Sequence, residues 1–218
     1  LISDIFSQND TLPDSDLVID ATSKVVFPGI IDDQVHFREP GASHKATIES
    51  ESKAAILGGV TSFMDMPNNN PPATTISDIE KKFDIAQRDS YANYSFYLGA
   101  TNSNLDEILS VDPTKVCGVK LFMGSSTGNM LVNNEETLNS IFSKSKILLA
   151  THCEDEETIK ENLQIAKDRY GEDIPFSEHS KIRSAQACIK STQKALSFAT
   201  KYNSTLHILH ISTKEECK

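Results

Sequence analysis

Residues 34–41 read Gln-Val-His-Phe-Arg-Glu-Pro-Gly and follow directly on the apolar residues 25–32, Val-Val-Phe-Pro-Gly-Ile-Ile-Asp. The apolar run is typical of a strand. Side chains alternate along a strand, so Gln34 and His36 are predicted to project from the same face. In α/β barrels that bind metal ions, the first ligands of the metal site are typically two such side chains at the end of an early strand. The pattern therefore predicts a barrel with a metal site at the carboxyl end of an early strand.

The rest of the chain alternates between predicted strands and predicted helices. A β-rich lead (residues 1–30) contains two strand-like segments, Asp16–Asp20 and Lys24–Phe27. Further strands are predicted over residues 60–66, 94–100, 116–123, 147–151 and 206–211. Helices are predicted over residues 46–57, from a cap at Ser77, around 105–109 and 138–142, and over 156–170 and 180–201.

This alternation predicts a parallel sheet in an α/β fold. Polar residues of ligand type recur where the strands end, and that favours a (β/α)8 TIM-like barrel over a doubly wound sheet. Six barrel strands are too few to close an eight-stranded barrel. We therefore expect the seventh and eighth strands beyond Lys218, and the absence of an initial methionine at Leu1 indicates that the chain is a part of a longer protein.

Composition excludes several classes of function. The 218 residues carry 31 acidic and 21 basic side chains, a formal net charge of -10, without the basic stripe of a nucleic-acid-binding protein. No apolar run approaches the roughly 20 residues of a membrane helix. The four cysteines form no Cys-x-x-Cys pair, which predicts free thiols and a cytoplasmic location.

Four predicted strand ends supply candidate metal ligands. A single histidine is more often structural, but several such side chains at consecutive strand ends converge on the axis of a barrel, which favours a metal site. His207 and His210 are three positions apart and cannot share one face of a strand, so one of them is predicted to be structural. The candidates are Gln34 and His36, then Lys120, then His152, then His207 and His210.

Lys120 is the unusual member of this set. An ordinary lysine, with a pKa of about 10.4, is a cation that repels metal ions. A buried lysine has a lowered pKa and can be a neutral amine, which reacts with carbon dioxide to give an anionic carbamate ligand. The alternative, which the sequence alone favours, is a lysine whose amine extends to solvent at the rim of the barrel.

The chain resembles the dihydroorotases of the amidohydrolase superfamily over nearly its whole length. The matching motifs occur in the family order and are Pro28-Gly29-Ile30-Ile31-Asp32, Val35-His36-Phe37-Arg38-Glu39-Pro40-Gly41, Met66-Pro67-Asn68, residues 118–130, His152-Cys153-Glu154-Asp155 and His210-Ile211-Ser212-Thr213. The resemblance implies a (β/α)8 barrel with a small β-domain. Residues 1–30 then belong to the small domain, and residues 31–218 form a barrel that is incomplete at its C-terminal end.

The resemblance also implies a site and an activity. It implies one or two zinc ions held by His36, carbamylated Lys120, His152 and His210, with Gln34 as a doubtful further ligand. Arg38 and Asn68 are implied to bind the substrate, and a guanidinium is well suited to grip its carboxylate. The implied reaction is the reversible cyclisation of N-carbamoyl-L-aspartate to dihydroorotate in pyrimidine synthesis, by a homodimeric enzyme.

Two departures from the family pattern bear on this interpretation. Gln34 stands where the family usually has a histidine, and an amide oxygen is a weaker and harder ligand for zinc than imidazole. The proton-shuttle aspartate of the family follows the eighth strand, so it is expected beyond Lys218. We therefore expect residues 1–218 alone not to be a competent enzyme.

Other interpretations stay open. A related hydantoinase or allantoinase shares the metal ligands but has no substrate carboxylate for Arg38, and a non-catalytic relative retains the barrel as a structural partner. Arg38 could instead form a surface ion pair with Glu39 or with another neighbour. Side chains predicted to lie outside the site are Cys153, which points away from His152, the surface residues His44 and His179, the solvated acidic run 154–157, and the loop 125–128, which lacks a phosphate-binding pattern.

Overall fold

The structure, a computed structural model, describes residues 2–124 and 130–218. Within these ranges six strands alternate with seven α-helices. The strands are β1 (Ile30–Val35), β2 (Val60–Asp65), β3 (Asn93–Gly99), β4 (Gly118–Phe122), β5 (Leu149–His152) and β6 (Leu206–Ile208). The helices are α1 (Ile48–Leu57), α2 (Ile76–Asp89), α3 (Leu105–Leu109), α4 (Glu135–Lys144), α5 (Glu156–Tyr170), α6 (His179–Ile182) and α7 (Ala185–Tyr202). None of these helices is both long and apolar enough to cross a membrane.

The strands form one sheet in which every neighbouring pair is parallel and the spatial order follows the sequence from β1 to β6. A doubly wound sheet reverses its strand order at a switch point, and this sheet does not. The sheet also curves, because His207 on β6 reaches Asp33 on β1, with 3.6 Å between Nε2 and Oδ2. The predicted α/β architecture is confirmed as the six-stranded part of a TIM-like barrel.

The main core lies between the sheet and the helices that cover it. Phe63, Phe96 and Leu121 on the strands pack in one cluster with Ile79 on α2 and Phe142 on α4, and all five are at most 3% exposed. A smaller cluster, formed by Met66, Tyr97, Ala150 and Leu209, lies apart from it. Because the side chains of both clusters pack closely around the strands, the carboxyl ends of the strands have well-defined positions relative to one another.

The helix starts follow the capping rules, with one correction to the prediction. Thr47 and Thr75 each form a capping box at the starts of α1 and α2, so the cap of α2 lies two residues before the predicted cap at Ser77. Asn134 and Asp155 cap α4 and α5 through their side-chain oxygens.

The predicted continuous helix 180–201 is wrong, because the chain breaks between α6 and α7. Arg183 lies at φ −92° and ψ 71°, outside the helical region. Asn162 on α5 donates from Nδ2 to the carbonyl of Ile182 and to the hydroxyl of Ser184, at 3.1 and 3.4 Å. This side chain satisfies a carbonyl that would otherwise lack a helical partner, so the break is stabilised by a contact remote in sequence.

The strands predicted at Asp16–Asp20 and Lys24–Phe27 are also wrong, since no strand occurs in residues 2–29. A strand needs a partner for its backbone hydrogen bonds, and these segments pair with nothing in the described part of the chain. Their apolar side chains are exposed, with Val18 and Val26 each at 80%. The assignment of residues 1–30 to a small β-domain stays a prediction.

Candidate active site

The predicted ligands lie where the parallel strands end. His36 directly follows β1, Lys120 lies in β4, His152 ends β5, and His210 follows β6. Burial lowers the pKa of His36 and of His210, and the positive charge of Lys120 lowers both further. The lowered pKa favours the neutral form of each imidazole, which is the form that binds metals.

His152 and His210 are in direct contact through their rings. His152 Nδ1 lies 3.1 Å from His210 Nε2, and the ring centroids are 4.8 Å apart. Two imidazole nitrogens bound to one tetrahedral zinc ion at about 2.05 Å are about 3.3 Å apart. The spacing therefore fits two ligands of a single ion without rearrangement of the strands.

His207 lies elsewhere, paired with Asp33. Strand alternation predicted that His210 would lie on the face of Leu206 and Ile208, which pack against the main core. The strand ends at Ile208, three residues earlier than predicted, and His210 has φ 39°. This left-handed backbone conformation ends the alternation and turns the imidazole towards His152.

Lys120 is fully enclosed, with 1% of its surface exposed. Its Nζ has no hydrogen-bond partner among residues 2–124 and 130–218, and it lies 4.6 Å from the centroid of the Phe122 ring. Burial lowers the pKa of Lys120 to about 7. A large fraction of the amine is then neutral near neutral pH, and the alternative of an amine at the solvent-exposed rim is excluded.

His36 is oriented by Asn68 on the loop after β2. The Asn68 amide oxygen lies 2.8 Å from His36 Nδ1. An amide oxygen only accepts, so Nδ1 carries the proton and Nε2 keeps its lone pair. Asn68, predicted to bind substrate, thus also fixes which nitrogen of His36 is available to a metal ion.

Arg38 has a strained backbone and a free side chain. Its φ of 67° is rare for a residue with a Cβ atom. The carboxylate of Glu39 accepts the backbone N–H of Ile48 at 2.8 Å, at the start of α1. Nowhere in the two described ranges does the Arg38 guanidinium have an ion-pair partner, so the alternative of a pair with Glu39 is wrong.

Sequence reasoning missed Glu154, which it assigned to a solvated acidic run. Glu154 is 8% exposed, and its Oε2 lies 2.7 Å from His152 Nε2. Arg183, at the break between α6 and α7, donates to both carboxylate oxygens. Burial raises the pKa of Glu154, but the hydrogen bonds from His152 and Arg183 outweigh it and lower the pKa to about 2. The spacing of two residues after a ligand histidine is the signal that could have identified it.

The remaining predicted residues contribute less. The Gln34 side chain is partly buried and has no hydrogen bond to another described residue. Cys153 packs in the main core with its thiol donating to Thr151, and it also lines the cavity that His152 and His210 line. The loop prediction at 125–128 lies outside the described residues. In the described ranges, no three His, Cys, Asp or Glu side chains form a metal site.

Three comparisons with known proteins agree on the relationship. A dihydro-orotase-like family model matches residues 23–216. A dihydroorotase from Methanosphaera stadtmanae is 32% identical over 203 residues, which are 93% of this chain and 46% of that protein. An allantoinase from Desulfitobacterium hafniense is 33% identical over 92% of this chain and 45% of the allantoinase.

Among solved structures, the L-hydantoinase of Arthrobacter aurescens matches with a TM-score of 0.88 at 25% identity, over 96% of this chain and 47% of the hydantoinase. The chain thus spans less than half the length of these relatives. The family match covers nearly the whole chain and the fold agrees with a cyclic amidohydrolase. The chain belongs to the dihydroorotase-like family of cyclic amidohydrolases.

Proposed function

We propose that the protein is a metal-dependent dihydroorotase, which interconverts N-carbamoyl-L-aspartate and dihydroorotate. The observation that carries the proposal is the guanidinium of Arg38, which has no ion-pair partner in the described part of the chain and lies two residues after His36 at the carboxyl end of the sheet. A cyclic ureide that bears a carboxylate gives this guanidinium a partner, and a neutral one does not. The proposal extends the family relationship to one substrate.

In this proposal the substrate is held by Arg38 and Asn68. The guanidinium takes the carboxylate in two parallel hydrogen bonds, which fix its direction as well as its position. Asn68 lies within hydrogen-bond distance of His36, so its amide N–H groups, which have no partner among the described residues, are positioned beside the proposed metal site. Together they orient the ring amide towards the histidines and exclude orientations in which the carboxylate lies near the ion.

The metal ligands of the proposal are the facing nitrogens of His152 and His210, Nε2 of His36, and Lys120 as its carbamate. Carbamate formation joins the neutral Lys120 nitrogen to the carbon of carbon dioxide and releases one proton from that nitrogen, so a neutral amine becomes an anion. A zinc ion held by these groups would polarise the ring amide carbonyl and lower the pKa of a water molecule from 15.7 to about 7. Glu154 keeps the proton of His152 on Nε2, so that Nδ1 is free to bind metal.

The competing proposal is hydrolysis of a neutral cyclic amide, because the relatives include an allantoinase and a hydantoinase. The test is turnover of dihydroorotate, hydantoin and allantoin by the natural full-length protein and by Arg38→Ala. We expect Arg38→Ala to lower kcat/KM for dihydroorotate about 100-fold, because two charge-assisted hydrogen bonds of about 1.5 kcal/mol each are lost. Arg88→Ala, which removes an exposed arginine paired with Asp89, is the matched control.

Each outcome separates the alternatives. Dihydroorotate turnover that depends on Arg38 supports the proposal. Turnover of a neutral ring with no dependence on Arg38 assigns the protein to the related cyclic amidases. A full-length protein that binds no metal and turns over none of the three is a non-catalytic relative, and the proposal is then wrong.

A further inference from the structure

Lys82 on α2 is a fully buried lysine to which the proposed function gives no role. Its side chain is 0% exposed. The Nζ donates to Asp65 Oδ2 at 2.6 Å, to the Met66 carbonyl at 3.0 Å and to Asn69 Oδ1 at 2.8 Å. An ammonium has three N–H donors, so each is used once. All three acceptors belong to the end of β2 or to the loop that follows it.

This loop, residues 66–70, is tied through Lys82 to residues 36–40, the loop after β1. The other oxygen of Asp65 accepts the backbone N–H of Phe37 at 2.9 Å. Asn69 donates from Nδ2 to the carbonyl of Glu39 at 2.9 Å. The backbone of Arg38 is therefore fixed on both sides, through its neighbours in the chain, by groups that Lys82 holds.

Arg38 needs such support, because its left-handed backbone conformation is unfavourable for a residue with a Cβ atom. Such a conformation persists only where the surroundings determine it. On the other loop, Asn68 lies between Met66 and Asn69, whose oxygens both accept from Lys82. The buried amine thus controls the relative positions of the two proposed substrate-binding residues.

We propose that Lys82 is a positioning residue, which sets the distance between Arg38 and Asn68 through the Asp65 carboxylate and the Asn69 amide. The inference rests on the proposed roles of Arg38 and Asn68 in holding the substrate. Lys82 itself lies behind the loops, with its amine 4.8 Å from the centroid of the Phe96 ring. Its effect on turnover is indirect and is expected mainly in KM.

The first test compares Lys82→Met with Lys81→Met in the metal-loaded full-length protein. Both remove a lysine from α2, but Lys81 is 66% exposed and only pairs with Asp78. We expect Lys82→Met to raise KM for dihydroorotate about 10- to 100-fold, the scale of a misplacement of about 1 Å, with a smaller change in kcat and unchanged zinc content. Lys81→Met should leave both constants unchanged.

Hydrogen exchange provides a measurement that does not depend on the reaction. Lys82→Met should accelerate exchange in peptides that cover residues 36–40 and 66–70, and leave β4 and β5 protected. A purely structural role predicts faster exchange throughout, or a lower melting temperature with unchanged KM. Either result overturns the inference. If the natural protein turns over no dihydroorotate, the proposed function fails, while exchange still tests the coupling of the loops.

Asn69→Ala provides a second test of the inference in case the Lys82→Met protein does not fold. It removes the link to the Glu39 carbonyl and leaves the pair of Lys82 and Asp65 intact. We expect a rise in KM in the same direction as for Lys82→Met, but smaller, with faster exchange confined to residues 36–40. Unchanged KM and exchange in a folded Asn69→Ala protein contradict the inference.

Discussion

At the scale of single residues, Glu154 determines how His152 is presented to a metal ion. It holds the Nε2 proton of His152 and is itself held by Arg183. Mutation of a side chain that hydrogen-bonds to a metal-ligating histidine typically lowers metal affinity about 10- to 100-fold. We therefore expect Glu154→Gln to weaken zinc binding by at least about 10-fold. Competition with a chelator measures the change. Glu157→Gln, at an 85% exposed side chain on α5, is the control and should leave the affinity unchanged.

Gln34 carries a second prediction at the same scale. An amide oxygen binds zinc less strongly than imidazole, and the Gln34 side chain occupies the strand position where the family pattern has a ligand. We expect Gln34→His to raise the zinc content per chain above that of the natural protein. Elemental analysis of unchelated full-length protein measures it. Gln193→His, on the exposed face of α7, controls for the added histidine, and equal zinc in the natural protein and Gln34→His contradicts the prediction.

The residues that the sequence identified and those it missed differ in kind. His36, Lys120, His152 and His210 could be predicted, because each has a chemically distinctive side chain where an apolar run ends. Glu154 and Lys82 were not assigned roles, because their significance lies in partners 29 and 17 positions away along the chain. Charge patterns along a sequence do not show such partners.

At the scale of secondary structure, β2 to β5 were predicted to within two residues, since buried parallel strands are continuous apolar runs, whereas β6 ends three residues earlier than predicted. The break between α6 and α7 was missed. Residues 180–201 keep a helical pattern across it, and the contact from Asn162 that stabilises the break comes from another helix. The consequence reaches the site, because the break places Arg183 beside Glu154.

The start of α5 couples helix stability to the same region. Asp155 caps the helix by accepting the Thr158 N–H at 2.9 Å, and it pairs with Lys190 on α7. Loss of such a cap typically costs about 1 kcal/mol, and we expect Asp155→Ala to lower the free energy of unfolding by about that amount in urea titrations. Asp173→Ala, in the exposed loop after α5, should have little effect.

The contribution of the Asp155 charge to the free energy of unfolding depends on pH. Burial raises the pKa of Asp155, but hydrogen bonds from Lys190 and Thr158 outweigh it, and the net pKa is lowered. The stabilisation is therefore present above the unfolded pKa of about 3.9 and is lost as the pH falls through the folded value. The difference in unfolding free energy between the natural protein and Asp155→Asn should shrink at low pH. A difference that stays constant contradicts this assignment.

At the scale of the whole molecule, most of the exposed large apolar side chains lie before the sheet and at the start of its first strand. Val18, Val26 and Phe27 are each about 80% exposed, and Ile30 and Ile31 on β1 are 56% and 62% exposed. The segments that contain Val18, Val26 and Phe27 were predicted as strands, because a sequence shows the strand propensity of each residue and does not show whether a partner strand is present. An unpaired apolar edge is a typical site of association between chains.

This exposed apolar surface leads to the last prediction, that residues 1–218 produced alone are not a competent enzyme. The exposed apolar side chains at the start of β1 favour association between chains. The chain also spans less than half of the curated relatives. We expect residues 1–218 to self-associate in light scattering, and to turn over dihydroorotate far more slowly than the Methanosphaera stadtmanae relative at equal zinc occupancy. A monomer with turnover close to that of the relative refutes the prediction.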